Sequence, residues 1–274
     1  LYVAQQRGHF TLFSILADKG ASVNCVTRDG EPLLIHLLRI AALFSENKED
    51  TLRYIRVLLK HRVDVNRSGN DGDTALILAL QTGDKSAIDR ILAGAKDVLA
   101  KGLHGRTACM IAAGQGFLDY LRVFKEKGAN LNDRDAFGWT TLMYAASPEI
   151  AAYLVSASAV LGEVNAPDEN GRYPLCFAIE KNNLDLVRLL LDAGANVNQK
   201  IESPGWNGAS PLIMAAGLSR LDIARLLLER GADVNHADND GMTAINYVVD
   251  NPAMSGLLKS HGGKAGKSRQ TGGM

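Results

Sequence analysis

Short bursts of apolar residues at helical spacing, each closed by a polar or glycine-bearing turn, run through the chain and predict many short amphipathic helices. In the burst over residues 184–192, Asp185, Arg188 and Asp192 fall three and four apart and make a solvent stripe. Leu186, Val187, Leu190 and Leu191 are left for packing. The burst over residues 221–229 repeats the arrangement with Asp222, Arg225 and Glu229. Ahead of the first of these, Pro174-Leu175-Cys176-Phe177-Ala178-Ile179 opens a second kind of helix, with proline in the first turn where its missing N–H costs nothing. Gly194 and Gly231 close their helices at the position where a left-handed residue is wanted. No such helix can bury its apolar stripe alone, so neighbouring units must stack.

The bursts recur in register. Glycines stand at matching places at Gly30, Gly72, Gly105, Gly138, Gly171, Gly208 and Gly241, at intervals of 42, 33, 33, 33, 37 and 33 residues. A second marker precedes most of them: Ala21-Ser22-Val23-Asn24, Val63-Asp64-Val65-Asn66, Ala129-Asn130-Leu131-Asn132, Glu163-Val164-Asn165, Ala195-Asn196-Val197-Asn198 and Ala232-Asp233-Val234-Asn235. Two independent markers in one register argue against coincidence.

With Thr74-Ala75-Leu76, Thr107-Ala108, Thr140-Thr141-Leu142, Pro174-Leu175, Ser210-Pro211-Leu212 and Thr243-Ala244-Ile245 at the start of the first helices, the pattern resembles the ankyrin repeat family, where Thr-Pro-Leu-His stands. The histidine of that tetrapeptide is replaced throughout, by Leu34, Ile77, Met110, Met143, Cys176, Ile213 and Asn246, so the family's Thr-to-His hydrogen bond is expected to be absent. The resemblance implies an all-α fold, an ankyrin-type helix-turn-helix solenoid with β-hairpin tips. It implies one domain over residues 1–262, with repeats starting near 1, 28, 69, 102, 135, 168, 205 and 238.

Three irregularities interrupt the period. The second unit carries nine extra residues, read as a polar loop near residues 41–50 between its helices, a tolerated insertion or a partner contact. Four extra residues lie in the stretch 200–207, which sets Trp206 in a Pro-Gly turn, either folded back on the neighbouring hairpin or presented to a partner. Pro148 in the fifth unit is read as marking the end of a shortened first helix. Residues 263–274 lack any apolar period and read as a disordered tail. Within it, Gly266-Lys267-Ser268 imitates the end of a phosphate-binding loop, but His261 occupies the place of its first glycine and no helix follows.

Composition narrows the function. The 274 residues hold 30 Lys and Arg against 30 Asp and Glu, interspersed along the chain, which argues against a nucleic-acid surface. The longest apolar stretches, over residues 32–44 and 150–162, are too short to span a bilayer. Cys25, Cys109 and Cys176 form neither a disulfide framework nor a metal pair, and Cys109 and Cys176 fall at apolar positions where a buried thiol is inert. His9, His36, His61, His104, His236 and His261 sit in different units and make no ligand or acid/base constellation. No catalytic site, cofactor or metal is expected. The marker asparagines read as bonding the backbone of their own turns.

What remains is protein binding, which the resemblance assigns to hairpin tips and to the concave face of the first helices. Around the repeat glycines the second and third tips are acidic, with Asp29, Glu31, Asp71 and Asp73. Later tips carry Arg106, Phe137, Trp139, Arg172 and Trp206, the residue types in which interface energy concentrates, with Gln115, Glu180 and Lys181 as secondary contacts on the adjoining face. The partner expected is another protein, an enzyme among the candidates, bound by a chain that is a monomer beforehand. Two readings compete: a complete soluble binding protein that masks or inhibits its partner, in the cytoplasm or a bacterial periplasm, and a recruiting segment of a larger enzyme or receptor. The first residue is Leu1 and not Met, which reads as loss of preceding residues under either, while the Gly- and Lys-rich end favours the first.

Overall fold

The structure is a computed structural model that describes residues 1–157 and 164–267. Its contacts cluster into two compact units, Leu1–Ala136 and Phe137–Met274, where the sequence reading takes a single domain. Each unit is a helix-turn-helix stack in which repeats bury their faces against nearest neighbours.

The first unit contains α1 (Tyr2–Gln6), α2 (Phe10–Asp18), α3 (Leu33–Leu43), α4 (Lys48–Lys60), α5 (Ala75–Thr82), α6 (Lys85–Gly94), α7 (Ala108–Gln115) and α8 (Leu118–Glu126). The second contains α9 (Thr141–Tyr144), α10 (Pro148–Ala157), α11 (Pro174–Glu180), α12 (Leu184–Asp192), α13 (Pro211–Gly217), α14 (Leu221–Glu229) and α15 (Pro252–Ser260). Single 3-10 turns lie at Leu103–Gly105 and Ala244–Tyr247.

The two helices of a repeat are different physical objects. First helices are apolar nearly all round and enclosed: α11 buries Pro174 through Ile179, and α13 buries Pro211 through Ala216. Second helices are amphipathic, α12 burying Leu186, Val187 and Leu190 while its charged stripe faces solvent. The first helices α5, α7 and α13 start on side-chain caps: Thr74, Thr107 and Ser210 hydroxyls accept from Ile77, Met110 and Ile213 N–H, each at 3.3 Å. Gly194 and Gly231, at φ 92° and 86°, end α12 and α14 in the left-handed conformation that their positions require.

Several local expectations are refined. The β-hairpin tips are reduced to single antiparallel bridges, Val26 with Pro32, Ser68 with Thr74 and Ile201 with Ala209. The insertion of the second unit is mostly helical: α3 runs on to Leu43, α4 starts at Lys48, and only residues 44–47 remain as a loop. Ala41, Thr51 and Leu52 are buried, so the added turns carry their own apolar stripe. Pro148 opens α10 and does not close the preceding helix, which already stops at Tyr144. The bond expected to be lost with the histidine is rebuilt in the last repeat, where Asn246 Oδ1 accepts from Thr243 N–H at 3.0 Å. The expected loose tail is held at its start: Lys264 N–H donates to Asn235 Oδ1 at 2.8 Å, Gly266 N–H to Asn246 Oδ1 at 2.8 Å and Lys267 N–H to Gly241 O at 2.9 Å. The rest of that tail from Ser268 on, and Glu163 of the marker set, lie outside the described residues.

Candidate partner-binding face

The residue directly after each repeat glycine holds one register position at the tip, and for Glu31, Asp73, Trp139 and Arg172 the side chain meets a first helix. Along the chain that position holds Glu31, Asp73, Arg106, Trp139, Arg172, Ala209 and Met242. In the second unit Trp139 and Arg172 meet at the buried carboxylate of Asp168. One oxygen, Oδ1, accepts from the N–H groups of Asn170 and Arg172 at 2.9 and 2.8 Å and so shapes the turn. The other, Oδ2, accepts from the Trp139 indole N–H at 3.0 Å and from Arg172 Nε and Nη2 at 3.2 and 3.1 Å. An aspartate with no solvent access is thereby fully hydrogen-bonded, the condition for burying a charge at acceptable cost.

Aromatic rings close over this anchor. Trp139 meets Phe177 edge-on at 4.7 Å and Tyr144 at 5.3 Å, and the Arg172 guanidinium lies over Phe177 at 4.7 Å and over Trp139 at 5.5 Å. Glu180, at the end of α11, approaches Arg172 at 3.9 Å. Phe137 stands beside Trp139 with ring centroids 6.4 Å apart and 47% of its surface exposed, and α9 is a single turn long here. Lys181 follows Glu180 and is exposed.

Among the residues singled out from sequence, the structure brings together Phe137, Trp139, Arg172 and Glu180, with Lys181 adjoining. Trp206 is elsewhere in the same unit, stacked on Tyr247 at 6.0 Å and 29° and so close to Gly217 that a methyl group there would meet it at 3.0 Å. That is the folded-back arrangement. Arg106 and Gln115 belong to the first unit: Arg106 is half-buried with its Nε shielded, and Gln115 is exposed, its amide 3.5 Å from Gln81 O. Tyr144, Phe177 and Asp168 were missed. The aspartate had a signal, since Asp135, Asp168 and Asp238 all stand at the same distance before their glycines.

The acidic tips of the first unit are organised by a residue the sequence reading did not use. Arg39 on α3 pairs with both oxygens of Asp71 at 2.6 and 2.9 Å, with Glu31 at 3.1 Å and with Asp73 at 3.4 Å. Its hydrogen bond to Asp71 is the main reason that the Asp71 carboxyl lies below the usual carboxylate range, burial opposing it. Four of the marker asparagines also behave differently from the expectation, because their carboxamides bond the backbone of the next repeat. Asn66, Asn165, Asn198 and Asn235 each donate to a glycine carbonyl there, at 2.9 to 3.1 Å, and accept from the N–H two residues beyond it, at 2.7 to 2.9 Å. The turns themselves are bonded by the Asp or Asn two positions earlier, as Asn66 N–H to Asp64 Oδ1 at 3.0 Å and Asn198 N–H to Asn196 Oδ1 at 3.0 Å.

Burial raises the thiols of Cys109 and Cys176 to about 12, which keeps both protonated, while Cys25 is part-exposed. Among the described residues no cluster of His, Cys, Asp and Glu could hold a metal, and no helix is long and apolar enough to cross a membrane.

Comparison with known proteins agrees with this architecture. The family described as ankyrin repeats (3 copies) matches residues 90–162, 109–201 and 158–238, and a companion described as ankyrin repeats (many copies) matches residues 37–92. Neurogenic locus notch homolog protein 1 from Mus musculus and from Homo sapiens is 30% identical over 156 residues, which is 56% of this chain and 6% of theirs. A Danio rerio protein named as a palmitoyltransferase, ZDHHC13, is 32% identical over 174 residues, 61% of this chain and 25% of its own. The chain thus spans a small fraction of the relatives it matches.

Proposed function

Since this chain belongs to the ankyrin repeat family, whose repeats are protein–protein interaction modules, we propose that it is a non-catalytic docking protein that binds its partner on the face around Trp139 in the second unit. The observation that carries the reading is Phe137, a large ring 47% exposed at the edge of the Trp139, Tyr144, Phe177 and Arg172 cluster. A rigid aromatic platform held from below by a buried carboxylate loses little entropy on binding, and an exposed ring beside it supplies apolar area to cover. Arg172, already satisfied by Asp168, orients the rings more than it attracts charge. Glu180 and Lys181 form a polar rim of both signs. Arg106 and Gln115 remain candidates for a separate contact on the first unit, and Trp206 packs back on Gly217 and on Tyr247 of the following repeat.

Masking or inhibiting an enzyme is one outcome of such docking. The second reading, a recruiting segment within a longer protein, is favoured by relatives of which the matched region is only 6% or 25%. Affinity capture with the chain, followed by mass spectrometry and titration of the captured partner, tests the site. Phe137→Ala should weaken that partner about 30-fold, the equivalent of about 2 kcal/mol for an aromatic anchor, with unchanged helical circular dichroism. Equal affinity of the variant would remove the face from consideration.

A further inference from the structure

The asparagine bridges between repeats have one interruption among the described residues, and a cleft opens there. Leu99 stands as far before Gly105 as Asn66 stands before Gly72 and Asn235 before Gly241. Its turn is built in the same way, with Leu99 N–H donating to Asp97 Oδ1 at 2.8 Å as Asn66 N–H donates to Asp64 Oδ1. A leucine cannot bridge to the following repeat. The two backbone groups that an asparagine would take there are the carbonyl of Gly128 and the N–H of Asn130, and neither has a partner among the described residues.

Gly128 nevertheless keeps the backbone conformation of its bonded counterparts. Gly128 has φ 90°, against 92°, 86° and 82° for Gly194, Gly231 and Gly262, whose carbonyls accept from Asn165, Asn198 and Asn235. Beside them is a cleft of about 140 Å³ between the turn at residues 97–99 and the turn at residues 129–133, lined by Val98, Leu99, Thr107, Cys109, Asn130 and Asp133 among others. That volume equals roughly five molecules of liquid water, enough for one short side chain. Leu99, displaced from any bridging role, is 46% exposed at its mouth.

We infer that this cleft is a carboxamide-binding site, and that it takes an Asn or Gln side chain from an extended segment of a partner protein. The chain itself shows four times which ligand this donor–acceptor pair selects: a primary amide whose oxygen accepts from the N–H and whose NH2 donates to the glycine carbonyl. A carboxylate cannot donate to Gly128 and would face Asp133, which borders the cleft and accepts from Asn130 Nδ2 at 3.2 Å. An ester or tertiary amide lacks the donor. Val98 and Leu99 add an apolar wall that suits an aliphatic neighbour of the bound residue. This site lies in the first unit and does not depend on the aromatic face of the second.

The test uses the full chain, labelled with 15N, and propionamide as probe. The Asn130 amide resonance should shift saturably with propionamide and stay in place with propionate and with N,N-dimethylpropionamide. Leu99→Asn, which supplies the bridge internally, should abolish the shift and raise Tm. Leu99→Ala should keep the shift, because the backbone pair carries the binding. An Asn130 resonance unmoved by propionamide, moved equally by the dimethyl analogue, or still responsive in Leu99→Asn would overturn the site. For a partner captured by the chain, Leu99→Asn should weaken binding at least threefold, and an unchanged affinity would overturn the assignment to a partner's side chain. Since Phe137→Ala reports on the other face, the two outcomes are separable.

Discussion

Glu31 and Arg39 of the first unit occupy the same two places in their repeat as Arg172 and Glu180 of the second, with the charges exchanged. Both pairs meet, the first at 3.1 Å and the second at 3.9 Å. The geometry of tip and first helix therefore brings the two positions together whichever sign each carries. What differs is the company. Arg39 reaches forward to Asp71 and Asp73 of the next repeat, and Asp73 in turn accepts from Leu103 N–H at 2.8 Å. Gly69 and Gly102 make this possible, since a β-carbon on Gly69 would meet Arg39 at 2.9 Å and one on Gly102 would collide with Asp73. Arg172 instead binds Asp168 of its own turn and covers Trp139 of the preceding one. One hub is a charge network with excess carboxylate, the other a buried ion pair under aromatic rings with Phe137 exposed beside it.

If that contrast is right, the sharpest loss comes from Asp168→Ala. It leaves the Trp139 indole, the Arg172 side chain and two turn amides without their acceptor, and should cost about 3 kcal/mol in urea unfolding. Arg39→Ala should cost less, about 1 kcal/mol, because its ion pairs are partly open to water. A larger loss from Arg39→Ala than from Asp168→Ala would reverse the comparison. The smallest effect is in acid. The Asp71 carboxyl lies below its unfolded value, so its contribution is complete above about pH 4 and fades as pH falls through the lowered value. Between pH 7 and pH 3 the fall in Tm should be smaller in Asp71→Asn than in the parent. Equal slopes in Asp71→Asn and the parent would show that Arg39 and Asp71 are not coupled in solution.

How much of this could be read from residues follows the range of each interaction. The repeat register, the amphipathic stripe of α12, the proline at the start of α11 and the left-handed Gly194 and Gly231 depend on neighbours within one turn of helix, and sequence spacing exposes them. The insertion was misplaced as a loop because the polar run 45–50 hides the buried Thr51 and Leu52 that let α4 start at Lys48. The face around Trp139 was half legible. Residue type marked Phe137, Trp139 and Arg172 as a group, but Trp206 shares that signal and packs on Tyr247.

Sequence alone determined the family, the helix pairs and the places where the period breaks, because a 33-residue repeat states its local geometry again in each unit. Tertiary structure decided where each polar side chain found its partner. Arg39 lies 32 residues from Asp71, Trp139 29 from Asp168, and Asn198 33 from Gly231, and in a stack these separations are direct neighbours. Whether an exposed tip is an anchor, a rivet or an open cleft depends on what the adjacent repeat offers across that gap, and only stacking brings the two sides within hydrogen-bond distance.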